Sequence, residues 1–146
     1  MKKSAIVILS IIGMSHLGMS QSKTSEIIGL EIGNKAPEMK FADPNGKFIA
    51  LSSLEGKMVL IDFWASWCGP CRMMAPAFTK AAAILEPQMR LVKVNTEEEQ
   101  NLAARYHIRS IPTLAIFKGG QEIARQSGAM SEQDLVRWAQ TISNSQ

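Results

Sequence analysis

Both cysteines of the chain, Cys68 and Cys71, stand in the string Trp67-Cys-Gly-Pro-Cys-Arg72, separated only by Gly69 and Pro70. The residues on either side constrain the fold more than any other feature. Met58 to Trp64 (MVLIDFW) follows Gly56 and is apolar apart from Asp62, the pattern of a strand covered on both faces. From Gly69 to Leu85 helix formers dominate, Pro70 falls in the first turn where its missing N–H costs nothing, and Pro87 closes the segment. The cysteine pair is therefore expected at the head of a helix that leaves a buried strand.

The rest of the chain continues this alternation. Met39 to Leu51 places Asp43-Pro44-Asn45-Gly46 between two runs that alternate apolar and polar, which predicts a β-hairpin. Arg90 to Asn95 reads as a second apolar strand, and Thr96-Glu97-Glu98-Glu99 has the form of a capping box opening a short helix toward Tyr106. Thr113 to Lys118 and Gln121 to Ser127 flank Gly119-Gly120, a two-residue hairpin signal. Ser131 and Asp134 offer a cap, after which Leu135, Trp138, Ala139 and Ile142 form one apolar helical stripe. The order is hairpin, β-α-β-α, then β-β-α: an α/β fold with a central mixed β-sheet flanked by helices and an extra N-terminal β-hairpin.

At 146 residues, with 46% hydrophobic and 20% charged residues, the chain has room for one ordinary globular domain. Its N-terminus reads separately. A basic Lys2-Lys3, the apolar run from Ala5 to Gly13 and the small residues Gly18 and Ser20 have secretory leader architecture, with cleavage expected before Gln21. The run is far short of the roughly 20 apolar residues that a membrane-spanning helix needs. The expected division is a signal peptide at 1–20, a lead-in at 21–35 and the folded domain at 36–146, with the protein exported to the periplasm or secreted.

Loss of Lys2 and Lys3 brings the formal net charge of +3 close to balance. With no basic run and no aromatic-basic interleaving, the chain has no footprint for a nucleic-acid backbone, and no nucleic-acid partner is expected.

The cysteine pair admits several readings. As a structural staple it would close a loop worth only about 2 kcal/mol of unfolded-state entropy, against about 3 kcal/mol for a 15-residue loop. As a zinc site it lacks ligands, since the expected mature chain offers no further cysteine and only His107. Two permanently reduced buried thiols fit poorly with export. As a redox pair each residue has a task. The N–H groups and dipole at a helix head stabilise a thiolate on Cys68, the attacking species, and Cys71 lies one turn on, near enough to close a disulfide.

The strings DFWASWCGPC (Asp62 to Cys71), KVN (Lys93 to Asn95), IRSIPT (Ile108 to Thr113) and GA (Gly128-Ala129) together resemble the thioredoxin family, over about Met58 to Ile142. The resemblance implies a thioredoxin fold and a redox-active Cys68–Cys71 disulfide, with no cofactor and no metal. Cys68 would be the nucleophile and Cys71 the resolving cysteine. Asp62 would transfer a proton to and from Cys71, with Lys93 as its partner; a carboxyl in an apolar strand is expected to have a raised pKa, which suits that task. Pro112 would be cis and would expose backbone to an extended substrate, with Trp67, Gly69, Pro70, Ile111 and Gly128 completing the docking surface. Packing alone is the plainer reading of Trp64 and Trp67, and surface or edge packing that of His107.

The implied activity is a protein-disulfide reductase, most simply a monomer, acting on protein disulfides in the periplasm and recharged by a membrane electron-donor protein. Gly-Pro between the cysteines resembles reducing members near −270 mV more than strong oxidants near −120 mV. The front segment Ala36 to Lys57 looks instead like the entry of exported cytochrome-maturation and peroxiredoxin-like relatives. Three alternatives follow: a dedicated reductant of apocytochrome c, a periplasmic dithiol oxidant, and a binding module without enzymatic activity.

Overall fold

The computed structural model describes residues 28–29, 34–42, 48–54 and 56–146. The expected leader, most of the lead-in and the hairpin turn Asp43-Pro44-Asn45-Gly46 lie outside the described residues.

The elements are β1 (Lys40–Ala42), β2 (Phe48–Ala50), β3 (Met58–Trp64), α1 (Gly69–Leu85), β4 (Met89–Asn95), α2 (Gln100–Arg105), β5 (Thr113–Lys118), β6 (Gln121–Ser127) and α3 (Glu132–Asn144). A four-stranded sheet runs in the order β4-β3-β5-β6, with β3 parallel to β4 and antiparallel to β5, and β5 antiparallel to β6. The β5–β6 turn is made by Gly119 and Gly120, whose φ values of 58° and 77° suit glycine. β1 and β2 pair antiparallel as expected, with Phe41 opposite Ile49, but they form a separate small sheet.

β3 is central, so both of its faces are covered and its sequence shows no polar alternation. Met58 and Leu60 pack with Met74, Phe78 and Leu85 of α1 and with Leu135 and Ala139 of α3. Val59, Ile61 and Phe63 pack on the opposite side with Leu102 and Tyr106, and with Met39 and Leu51 from the front segment. Tyr106 anchors that segment, donating its hydroxyl to the Pro37 carbonyl while its ring lies 6.0 Å from Phe63 and 5.9 Å from Phe117. Burial pushes the phenol's pKa above its ordinary value, which keeps the donor protonated.

Of two expected helix caps, one differs from the structure. The Thr96–Glu99 capping box does not form: α2 starts from Glu99, which makes no side-chain cap hydrogen bond. The Thr96 hydroxyl instead donates at 3.1 Å to the Trp64 carbonyl, which also accepts from the Thr96 N–H at 2.8 Å. The Ser131 cap does form, accepting from the Asp134 N–H at 3.2 Å.

Candidate active site

β3 delivers the chain to the site. After Trp64 it turns through Ala65, Ser66 and Trp67 and enters α1 with Cys68 as the N-cap, in extended backbone geometry. An N-cap side chain ordinarily satisfies one of the four unpaired N–H groups at a helix start. Here the cap is sulfur: Cys68 Sγ accepts from the Cys71 N–H at 3.2 Å. The same two residues are joined by a disulfide, with Cα atoms 5.3 Å apart. Gly69 and Pro70 form the first turn between them. When the bond is reduced, the charge of a Cys68 thiolate sits on this N–H and on the positive end of α1.

The opposite wall comes from the segment before β5, where the Ile111–Pro112 peptide is cis. The Ile111 carbonyl oxygen lies 3.8 Å from Cys68 Sγ, and Ile111 packs with Trp64 on the Ala65-Cys68-Cys71 cluster. The Pro112 carbonyl itself accepts from the Gly128 N–H at 2.9 Å. The expectation that Pro112 exposes backbone for pairing therefore shifts by one residue. Proline has no N–H and its carbonyl is spent, whereas the Ile111 N–H has no hydrogen-bond partner among the described residues. Gly128 has φ +98° and nothing within 4 Å of where a Cβ would stand, so the chain needs glycine there and the space above it is open.

Asp62 and Lys93 are directly opposite each other in the β3–β4 register. Side-chain alternation puts Asp62 on the Leu60 side of β3, toward α1. The carboxylate is fully buried: Oδ2 accepts from Lys93 Nζ, and Oδ1 has no partner among the described residues. Burial pushes the Asp62 pKa above the usual carboxylate range, and the adjacent ammonium opposes this without cancelling it. Lys93 Nζ lies 4.9 Å from the Phe78 ring centroid and 5.2 Å from that of Trp64, so its charge is held by aromatic faces as well. The carboxyl makes no hydrogen bond to either sulfur, so a proton passing between Asp62 and Cys71 needs a relay.

Trp67, beside Cys68, is 70% exposed, too open for packing to be its main role. His107 is exposed at the end of α2, away from the disulfide cluster. Sequence reasoning missed Glu97. Its Oε2 accepts from the Ser66 N–H at 2.7 Å, bracing the loop just before Cys68, and that bond holds its pKa below the ordinary value. No local pattern announces a contact between residues so far apart in the chain.

A disulfide at a helix head, faced by the Ile111 backbone whose N–H has no partner among the described residues, is built to exchange with the sulfur of another polypeptide. Fold and site together define a thiol–disulfide exchange protein. Comparison with known proteins agrees: residues 44–141 match the Thioredoxin family. Thioredoxin 1 of Nostoc is 53% identical over 77 residues, which cover 53% of this chain and 72% of that protein. Synechocystis thioredoxin is 52% identical over 78 residues, covering 53% of this chain and 73% of its own. A solved malaria-parasite thioredoxin-2, described as a component of the parasite's protein secretion machinery, superposes with a TM-score of 0.56 at 25% identity, covering 58% of this chain and 82% of that one. The chain belongs to the thioredoxin family, as a thioredoxin-type disulfide oxidoreductase working through Cys68 and Cys71.

Proposed function

We propose that the protein reduces protein disulfides outside the cytoplasm, in the periplasm or beyond, and that a membrane electron-donor protein returns its own disulfide to the dithiol. The Cys68 thiolate attacks one sulfur of a substrate disulfide, forming a Cys68–substrate disulfide and releasing the other substrate sulfur as a thiolate. Cys71 then gives up its proton and attacks Cys68 Sγ, which re-forms the Cys68–Cys71 disulfide and frees the second substrate thiolate. The substrate gains two electrons and, from solvent, two protons. Asp62 takes the Cys71 proton through an intervening water, a task suited to a carboxyl whose affinity for protons burial has raised.

The observation that carries this reading is the Cys71 N–H on Cys68 Sγ at the head of α1, which distinguishes the two sulfurs. Export rests on the Lys2-Lys3, apolar and small-residue pattern of the N-terminus, and reduction on the Gly-Pro between the cysteines. Cys68→Ser is expected to abolish insulin-disulfide reduction; a variant that kept full activity would sink the proposal. The separate β1–β2 sheet favours a second reading, a dedicated reductant of apocytochrome c, because it lies in the segment resembling cytochrome-maturation relatives. Brisk reduction of insulin and unrelated disulfides argues for the broad reductase. Reduction confined to heme-binding cysteine pairs argues for the dedicated one.

A further inference from the structure

We propose that the cavity beside the disulfide is a side-chain subsite that selects an acidic residue flanking the target cysteine, with Arg109 as its specificity determinant. This rests on the reading that Cys68 attacks disulfides in other polypeptides. The cavity, of about 300 Å³, is walled by Trp67, Ile108 and Ile111 on its apolar side and by Arg109, Gln100 and Ser110 on its polar side.

Its position follows from the chemistry. Trp67 precedes the nucleophile, and the Ile111 carbonyl is 3.8 Å from Cys68 Sγ, so a cysteine bonded to Cys68 has its neighbours at this cavity. A segment pairing with the free Ile111 N–H runs along the same wall.

Its charge is one-sided. Arg109 is the cavity's one ionisable side chain, exposed and without a hydrogen bond or ion pair among the described residues. Glu97, Glu98 and Glu99 lie between the lining residues Thr96 and Gln100 but do not line the cavity themselves, and Glu97 turns its Oε2 to the Ser66 N–H at 2.7 Å. Gln100 donates to the Glu97 carbonyl at 3.2 Å, so one of its two amide N–H groups is engaged as well. An aspartate or glutamate of the substrate would lay its methylenes on the indole and isoleucines and its carboxylate against the guanidinium. A lysine there would meet the like charge of Arg109, with no acidic side chain in the cavity lining.

The test uses three disulfide-linked peptides differing only in the residue next to the cysteine: glutamate, glutamine or lysine. The readout is kcat/KM for reduction by the native protein and by Arg109→Gln and Arg109→Glu. The native protein is expected to prefer the glutamate over the lysine peptide by about fivefold at low ionic strength, with the preference shrinking as salt rises. Arg109→Gln should bring the ratio near one, and Arg109→Glu should invert it. A ratio near one in the native protein, or one unchanged in both variants, overturns the subsite while leaving the reductase reading intact, because the glutamine peptide is still reduced. Failure of the native protein to reduce any of the three peptides overturns both.

Discussion

Two carboxylates are buried among the described residues, one on each side of the sheet, and they are held in opposite ways. Glu122, on β6, is gripped by both ends of a guanidinium: Arg125 Nε donates to Oε1 at 2.7 Å and Nη2 to Oε2 at 2.8 Å. Arg125 Nη1 also donates to the Tyr106 carbonyl at 2.8 Å, so every strong group in that cluster has a partner. Asp62, under α1, has a single ammonium on one oxygen and nothing on the other. The first arrangement gives both carboxylate oxygens a donor. The second leaves one oxygen without a partner and a pKa that burial raises, which suits the proton transfer proposed for it. Burial alone marks neither as functional; the completeness of the hydrogen bonding separates them.

Removing each cation should separate them most sharply. Arg125→Met strands a buried carboxylate and is expected to cost about 3 kcal/mol at neutral pH, read by urea denaturation, with disulfide reduction little changed in whatever remains folded. A loss below about 1 kcal/mol would mean that Glu122 escapes by protonation and that the contrast is false. Next in size, Asp62→Asn should slow insulin reduction about tenfold without loss of stability, since it deletes a buried charge and keeps the shape. Equal rates for the two proteins would remove Asp62 from the chemistry.

The third effect is a pH dependence of stability whose sign is set by the raised pKa of Asp62. Between its unfolded and folded pKa values the unfolded chain binds fewer protons, so the Asp62 contribution is fully present below the unfolded value and is lost as pH rises through the folded one. The stability difference between Asp62→Asn and the native protein should therefore grow from about pH 4 upward and then level off. A flat difference would contradict the raised pKa. Smallest in stability is Lys93→Met, expected to cost about 1 kcal/mol or less, because Asp62 can answer by taking a proton. Its clearer signature is an activity profile displaced toward higher pH.

Much of the architecture was legible because its signals are local. The largely apolar run of β3, the Gly119-Gly120 turn, the Ser131 cap and the Leu135-to-Ile142 stripe each depend on residues within a few positions of one another. The thiols and Asp62 were legible because each is chemically out of place: thiols crowded at a helix head, an acid in an apolar strand. What escaped is long-range. Thr96 reads as a cap until its hydroxyl is seen on the Trp64 carbonyl, 32 positions away. Glu97, an ordinary acid in sequence, is found on the Ser66 N–H, 31 positions away. The shift of the free backbone from Pro112 to Ile111 depends on a bond from Gly128, which follows the intervening β5–β6 hairpin. The charge of the Arg109 cavity is a property of who does not reach it.

The central place of β3 carries a consequence for the site's tempo. The strand is paired on both edges, covered on both faces, carries Asp62 and ends four residues before the nucleophile. Such strands sit in the most slowly opening part of a protein, where amides exchange with solvent only when the whole molecule unfolds. The reacting groups on this side are thus anchored to the least mobile part of the chain. Adaptation to differently shaped partners falls to the exposed Trp67 side chain and the segment around Ile111, which can respond without disturbing the register of the sheet.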